Sequence, residues 1–148
     1  MHFVVAYDGT PITDTALDRA RTLAEAVDGA VTAVTVVPHG NTDYARERGW
    51  IGDGEPWDRD GILERLRDSV DSVAPTATFE YELVDRYAPR GKVGRVLRTT
   101  AQAADVDVLV IGTENAGRVF TTLTTVTQSV ATGTYDLHVV RTVVPRFR

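Results

Sequence analysis

An alternation governs what this chain can fold into. Apolar runs of strand length take turns with segments of helical period from one end to the other, which is the pattern of a parallel sheet covered by helices. The first run, Phe3-Val4-Val5-Ala6-Tyr7, closes on Asp8-Gly9. A helix is expected from about Thr13 to Asp28, because Ile12, Ala16, Ala20, Leu23, Ala24 and Val27 recur at spacings that share one face. Thr13 is placed to cap it, and Gly29 to take the left-handed conformation past its end. The second strand is Ala30 to Val37, stopped by Pro38. A second helix runs from about Arg59 to Val73 with Ile62, Leu66, Val70 and Val73 on one side, and a third strand from about Thr78 to Val84. After Ala88-Pro89-Arg90-Gly91 a third helix carries Val93, Val96, Leu97 and Ala101. The strand Val106 to Ile111 is almost wholly apolar, as a central strand buried on both faces would be, and ends in Gly112-Thr113. A fourth helix over about Val119 to Ala131 and a fifth strand, Leu137 to Val144, complete the series.

Five strands and four helices in strict alternation make a doubly wound parallel sheet with helices on both faces. In such sheets a ligand sits beyond the carboxyl ends of the strands, where the strand order reverses. Asp8-Gly9-Thr10, Val36-Val37-Pro38 and Gly112 to Gly117 follow strand ends with suitable chemistry. The stretch from His39 to Asp58 breaks the rhythm. It is polar, holds Gly40, Gly49, Gly52, Gly54 and Pro56, and carries Tyr44, Trp50 and Trp57. A connection of that length either covers a site or is a mobile loop whose aromatics pack locally.

Composition narrows the field. The 148 residues suit one domain, 1–148, and a hydrophobic fraction of 43% suffices for its core. No apolar run approaches the ~20 residues of a membrane span. The N-terminus reads as a strand without a basic n-region or cleavage site. With no cysteine, disulfides, thiolate metal sites and thiol catalysis are excluded. A cytoplasmic protein without a membrane partner is expected. A net charge of −5 argues against nucleic acid as the partner. Fifteen Arg stand against one Lys, Lys92. A GC-rich genome or a high-salt cytoplasm would each give that balance.

Two stretches carry a resemblance. Val4-Val5-Ala6-Tyr7-Asp8-Gly9-Thr10, the helix with Ala16-Leu17 and Ala20, and Val34-Thr35-Val36-Val37 are similar to the N-terminal half of the universal stress protein family. Val106-Asp107-Val108-Leu109-Val110-Ile111-Gly112-Thr113, a Gly-containing loop, a helix and Leu137-His138-Val139-Val140-Arg141 are similar to its C-terminal half. The resemblance implies strand order 3-2-1-4-5, an adenine nucleotide alpha hydrolase-like sheet, with Asp8 and Gly112 on opposite walls of one crevice. Many members bind ATP there through Gly, two residues, Gly, about nine residues, then Gly with Ser or Thr, a loop whose amides meet the phosphates.

Carried onto this chain, the resemblance implies that Asp8 contacts the adenosine, with Val36 and Val37 on the adenine side. The phosphate motif is degenerate. Gly112 matches the first glycine, Asn115 stands at the second, and Gly117 matches a later one displaced by a residue. Thr124-Thr125 replaces the terminal pair, keeping the hydroxyl at Thr125 but adding a β-branch at Thr124. Glu114 repels a triphosphate by about 1 kcal/mol or more, with Arg118 placed to offset it. The cofactor the resemblance implies is ATP or another adenine nucleotide, with Mg2+ only alongside it, or else none, and weak or absent binding of ATP is expected.

Other chemistry finds little purchase. His2, His39 and His138 fall on different elements and form no ligand-spaced pair, so no metal site is expected. Ser69 and Ser129 lie within helices, away from any nucleophile elbow. Arg86, Arg90, Lys92, Arg95 and Arg98 cluster near the third helix and read either as a solvated face or as an anion-attracting patch. No catalytic residue is evident, and the function the resemblance implies is a non-enzymatic stress-response or signalling role. The resemblance implies a homodimer through the exposed edge of the fifth strand, Leu137 to Val144, and a protein partner that the sequence does not name. A slow ATPase using the same crevice, and a flavodoxin-like redox carrier using Thr10 to Thr13, are the alternatives.

Overall fold

The computed structural model describes residues 1–103, 105–112 and 135–141. Its elements are β1 (His2–Ala6), α1 (Pro11–Val27), β2 (Ala30–Pro38), α2 (Thr42–Glu47), α3 (Arg59–Val73), β3 (Thr78–Val84), α4 (Arg90–Ala103), β4 (Val108–Gly112) and β5 (Asp136–Val140). The strands form one sheet of order β3-β2-β1-β4-β5, and each neighbouring pair is parallel. This is the expected order, with the reversal between β1 and β4. The helix expected from Val119 to Ala131, and Thr142 to Val144 of the fifth strand, lie outside the described residues.

The two faces of the sheet are set by the period-two alternation of its strands. Phe3, Val5, Tyr7, Ala33 and Val37 join Ala16, Leu17, Ala20, Ile62, Leu66 and Val70 in one core, which places α1 and α3 on the same face. Val4, Val34 and Leu109 point the other way and meet Val106 and Tyr135, with Leu97 of α4 packed against them. Helices therefore cover both faces. Among the described residues the larger core belongs to the α1/α3 side, and three of its members, Ala45, Trp50 and Ile51, come from the stretch after β2.

Several local expectations change. Helix α1 starts at Pro11 and not at Thr13, with Thr10 at the N-cap position and no side-chain cap bond. Proline's fixed φ suits the first helical position, so the helix begins as early as the ring allows. The left-handed residue after the helix is Asp28, at φ 54°, and not Gly29. Gly29 serves a steric need: a Cβ there would stand 2.5 Å from the Met1 carbonyl oxygen. Leu23 and Val27 are 38% and 51% exposed, so the far end of α1 does not bury the face its spacing suggested. Leu17 is fully buried in their stead. Pro38 does not stop β2 but is its last residue, level with Val84. Strand β4 starts at Val108; Asp107 is held before it, its amide donating to the His2 carbonyl at 3.0 Å and its carboxylate accepting from the His2 amide at 2.7 Å.

Candidate functional site

The site grows from the turn after β1. Register pairs Ala6 with Val34 and Val5 with Val110. Continued along parallel strands, it brings Asp8 level with Val36, and Tyr7 level with Gly112. Asp8, Val36, Val37 and Gly112 thus meet at the carboxyl edge where the strand order reverses. Asn115, Gly117, Thr124 and Thr125, with Glu114 and Arg118, lie outside the described residues.

Asp8 is the hub. Its Oδ1 accepts from the Thr10 amide at 3.0 Å and from the hydroxyls of Thr10 and Thr13 at 2.5 and 3.0 Å. The first is the Asx turn that an Asp-Gly pair makes with the residue two positions on. Gly9, at φ +78°, supplies the left-handed bend. The Thr13 hydroxyl, read from sequence as a helix cap, therefore serves the carboxylate that precedes the helix. The other oxygen, Oδ2, faces Arg48 Nε at 3.6 Å, an ion pair too long for a hydrogen bond. The Asp8 carbonyl accepts from the Trp50 indole at 2.6 Å.

Below this turn, on the α1/α3 face, the Tyr7 hydroxyl donates to Asp14 Oδ1 at 2.7 Å. Burial drives the Tyr7 hydroxyl far above its ordinary range, and the Asp14 hydrogen bond and charge add to it. The Asp14 carboxyl is raised as well; burial is the main cause, the Tyr7 hydrogen bond opposes it, and the Asp8 charge adds. The pair is a partly buried contact that ties Tyr7, just past β1, to the first turn of α1.

Gly112 has a packing reason of its own. A Cβ there would come within 2.9 Å of Ile12 Cγ1, so glycine lets the first turn of α1 close on the end of β4. Val37 is fully buried and Val36 nearly so, which leaves the backbone of β2 to face a ligand. Of the basic cluster, Arg86 turns back to donate to the Gly40 carbonyl from Nε and Nη2, at 3.0 and 2.7 Å. The histidines stand apart: His2 Nε2 lies 2.8 Å from Thr32 Oγ1, His39 meets Trp57 edge to face, and His138 is on β5.

Sequence reasoning missed Arg48 and Trp50 as site residues. It left open whether the segment from His39 to Asp58 covers a site, and no spacing signal tied it to Asp8. It forms a short helix, α2, and then folds inward. Trp50 is 3% exposed and packs over Gly9. Tyr44 meets the Trp50 ring edge to face at 5.5 Å, and the Arg48 guanidinium lies over the Tyr44 ring at 3.3 Å. Arg65 on α3 holds the Trp50 carbonyl at 2.7 Å. Among the described residues no helix is long and apolar enough to cross a membrane.

Comparison with known proteins agrees with the fold. The model of the universal stress protein family matches residues 1–141. A search of curated proteins finds no match. Among solved structures, a universal stress protein in complex with cAMP superposes with a TM-score of 0.59 at 22% identity, over 95% of this chain and 96% of that one. A universal stress protein from Archaeoglobus fulgidus in complex with dAMP gives 0.53 at 16% identity, over 95% and 97%. A member of the family from Burkholderia pseudomallei gives 0.56 at 18% identity, over 97% and 96%. At these identities the likeness is one of fold.

Proposed function

The chain belongs to the universal stress protein family, and from that premise we propose that it is a non-enzymatic stress-response protein that takes an adenine nucleotide at the carboxyl-edge crevice between β1 and β4. The observation that carries this reading is the position of Asp8. A carboxylate at the switch point, oriented by Thr10 and Thr13 and level with the end of β2, is placed to accept from ribose or adenine donors. The cAMP and dAMP of the solved relatives support a mononucleotide. Glu114, two positions past Gly112 in sequence, disfavours a triphosphate. The hydroxyls of Thr10 and Thr13 are turned onto Asp8, which speaks against their use as a flavin phosphate cradle. Mass spectrometry of the small molecules that leave the purified protein on denaturation tests this reading. An adenine nucleotide near one per chain supports it; a flavin or an unrelated compound in that amount overturns it.

A homodimer through β5 is the second part of the proposal. The strand is terminal in the sheet order, beyond β4. Its residues Leu137-His138-Val139-Val140 favour strand pairing, and a two-fold contact with a symmetry mate would close such an edge; cover by the Arg146-Phe147-Arg148 tail within one monomer is the competing account. Nucleotide occupancy would then reach a protein partner through a paired assembly. Sedimentation at tens of micromolar tests it. A species of twice the 16.1 kDa chain mass, weakened by Val139→Lys, is expected; a monomeric wild type contradicts it.

A further inference from the structure

The segment after β2 lies where a ligand would approach Asp8. We propose that Tyr44 to Trp50 is a lid, latched by Arg48 to the Asp8 carboxylate, and that the phosphate of an adenine nucleotide opens it by drawing Arg48 away. The inference rests on the nucleotide reading above and names how that same site is regulated.

The geometry has three parts. First, Asp8 Oδ1 is committed to Thr10 and Thr13 on its own turn, so Oδ2 is the oxygen that faces outward, and it faces Arg48. Second, the latch is held by charge alone. Arg48 Nε is buried and has no hydrogen-bond partner among the described residues, and it stands 3.6 Å from Oδ2. Its side chain is 11% exposed and is flanked by the Tyr44 ring, while Nη1 donates to the Tyr44 carbonyl at 3.4 Å and faces Glu47 Oε2 at 3.8 Å, both within the same segment. A guanidinium in that position gains from an oxyanion that can complete its hydrogen bonds, and a phosphate does so better than a carboxylate out of bonding range. Third, the segment has bending points on both sides. Gly40 and Gly54 flank it and Gly49 lies between Arg48 and Trp50, all at φ between +72° and +79°, and a Cβ added at Gly49 or Gly54 would meet nothing within 4 Å among the described residues. Residues that absorb backbone change at the ends of a packed segment are what a hinged lid needs.

The Trp50 indole bond to the Asp8 carbonyl then reports the state of the lid. Release of Arg48 frees Asp8 for the ribose and exposes Trp50 together. A neutral nucleoside offers no group to take Arg48, so the lid discriminates AMP from adenosine.

The test uses the full chain with Trp57→Phe, so that Trp50 alone fluoresces, and acrylamide quenching as the readout. Without ligand Trp50 is expected to be protected, and Arg48→Gln to raise its quenching several-fold. Asp8→Asn, which keeps an acceptor for Thr10 and Thr13, does the same and serves if the Arg48 variant does not fold. AMP is expected to raise quenching of the parent, while adenosine does not, and AMP adds nothing further in Arg48→Gln. Trp50 equally protected in both latch variants overturns the lid whatever the ligand. AMP that binds by calorimetry while Trp50 stays protected overturns the lid and leaves the nucleotide reading standing. Exposed Trp50 in the latch variants with no AMP binding to any form removes the nucleotide reading, and the gate with it.

Discussion

The turn that follows β1 and the excursion that follows β2 leave the same edge of the sheet and converge on one residue, Asp8. The turn is held by neighbours in sequence: an Asx bond to Thr10, a left-handed Gly9, and Thr13 one helical turn on. The excursion is held by strangers. Trp50 reaches 42 positions back to the Asp8 carbonyl, and Arg65 of α3 reaches back to Trp50. Local chemistry suffices to build the first. The second exists because the apolar surface at the top of α1 and α3 needs covering, and Ala45, Trp50 and Ile51 cover it.

The contrast is open to breakage by mutation. Trp50→Ala removes the more deeply buried of the excursion's two tryptophans and is expected to lower stability by about 3–5 kcal/mol, read by urea unfolding. Thr13→Ala removes one of several donors to Asp8 Oδ1 and is expected to cost about 1 kcal/mol. Equal losses in the two variants would mean that the turn is as dependent on long-range packing as the excursion, and the distinction would fail.

The smallest effect concerns Asp14 beneath the turn. Its carboxyl is raised from the ordinary value of 3.8, chiefly by burial. A raised folded-state pKa means that the folded protein holds the proton more tightly than the unfolded chain. Its stabilising contribution is therefore present below the ordinary value, is lost as pH rises through the folded pKa, and is flat beyond it. Asp14→Asn keeps an acceptor for the Tyr7 hydroxyl and removes the titration. The variant is expected to match or slightly exceed wild type at neutral pH, with the difference narrowing as pH falls toward the ordinary carboxylate range. A gap that widens on acidification would show that Asp14 is stabilised as the anion.

What the sequence made legible divides along the same line. The boundaries of α3 and β3, Arg59–Val73 and Thr78–Val84, coincide with the expected ones: in α3 the periodic residues Ile62, Leu66 and Val70 bury on one face, and in β3 every residue pairs with β2, although Tyr81 and Leu83 stay exposed. The strand order and the place of Asp8 follow from the alternation and the family resemblance together. Errors gather at ends. Pro11 moved the start of α1, and Asp28 took the left-handed position that glycine usually fills. Leu23 and Val27 kept helical spacing where no neighbour covers them enough to bury them. Arg48 was invisible as a site residue, and Trp50 stood only as one of three aromatics of a stretch that could cover a site, because an ion pair and an indole bond across 40 or so positions leave no periodic trace in sequence. The segment's tryptophans were its one clue, since a polar stretch seldom carries two without somewhere to put them.

Calorimetric titration of the full chain with AMP, beside Asp8→Ala checked for folding by circular dichroism, tests the central claim most directly. A saturable heat with one site per chain in wild type, lost in the folded variant, is the expected result. No heat from wild type up to roughly millimolar AMP, or the same binding in both proteins, would contradict a nucleotide site built on Asp8.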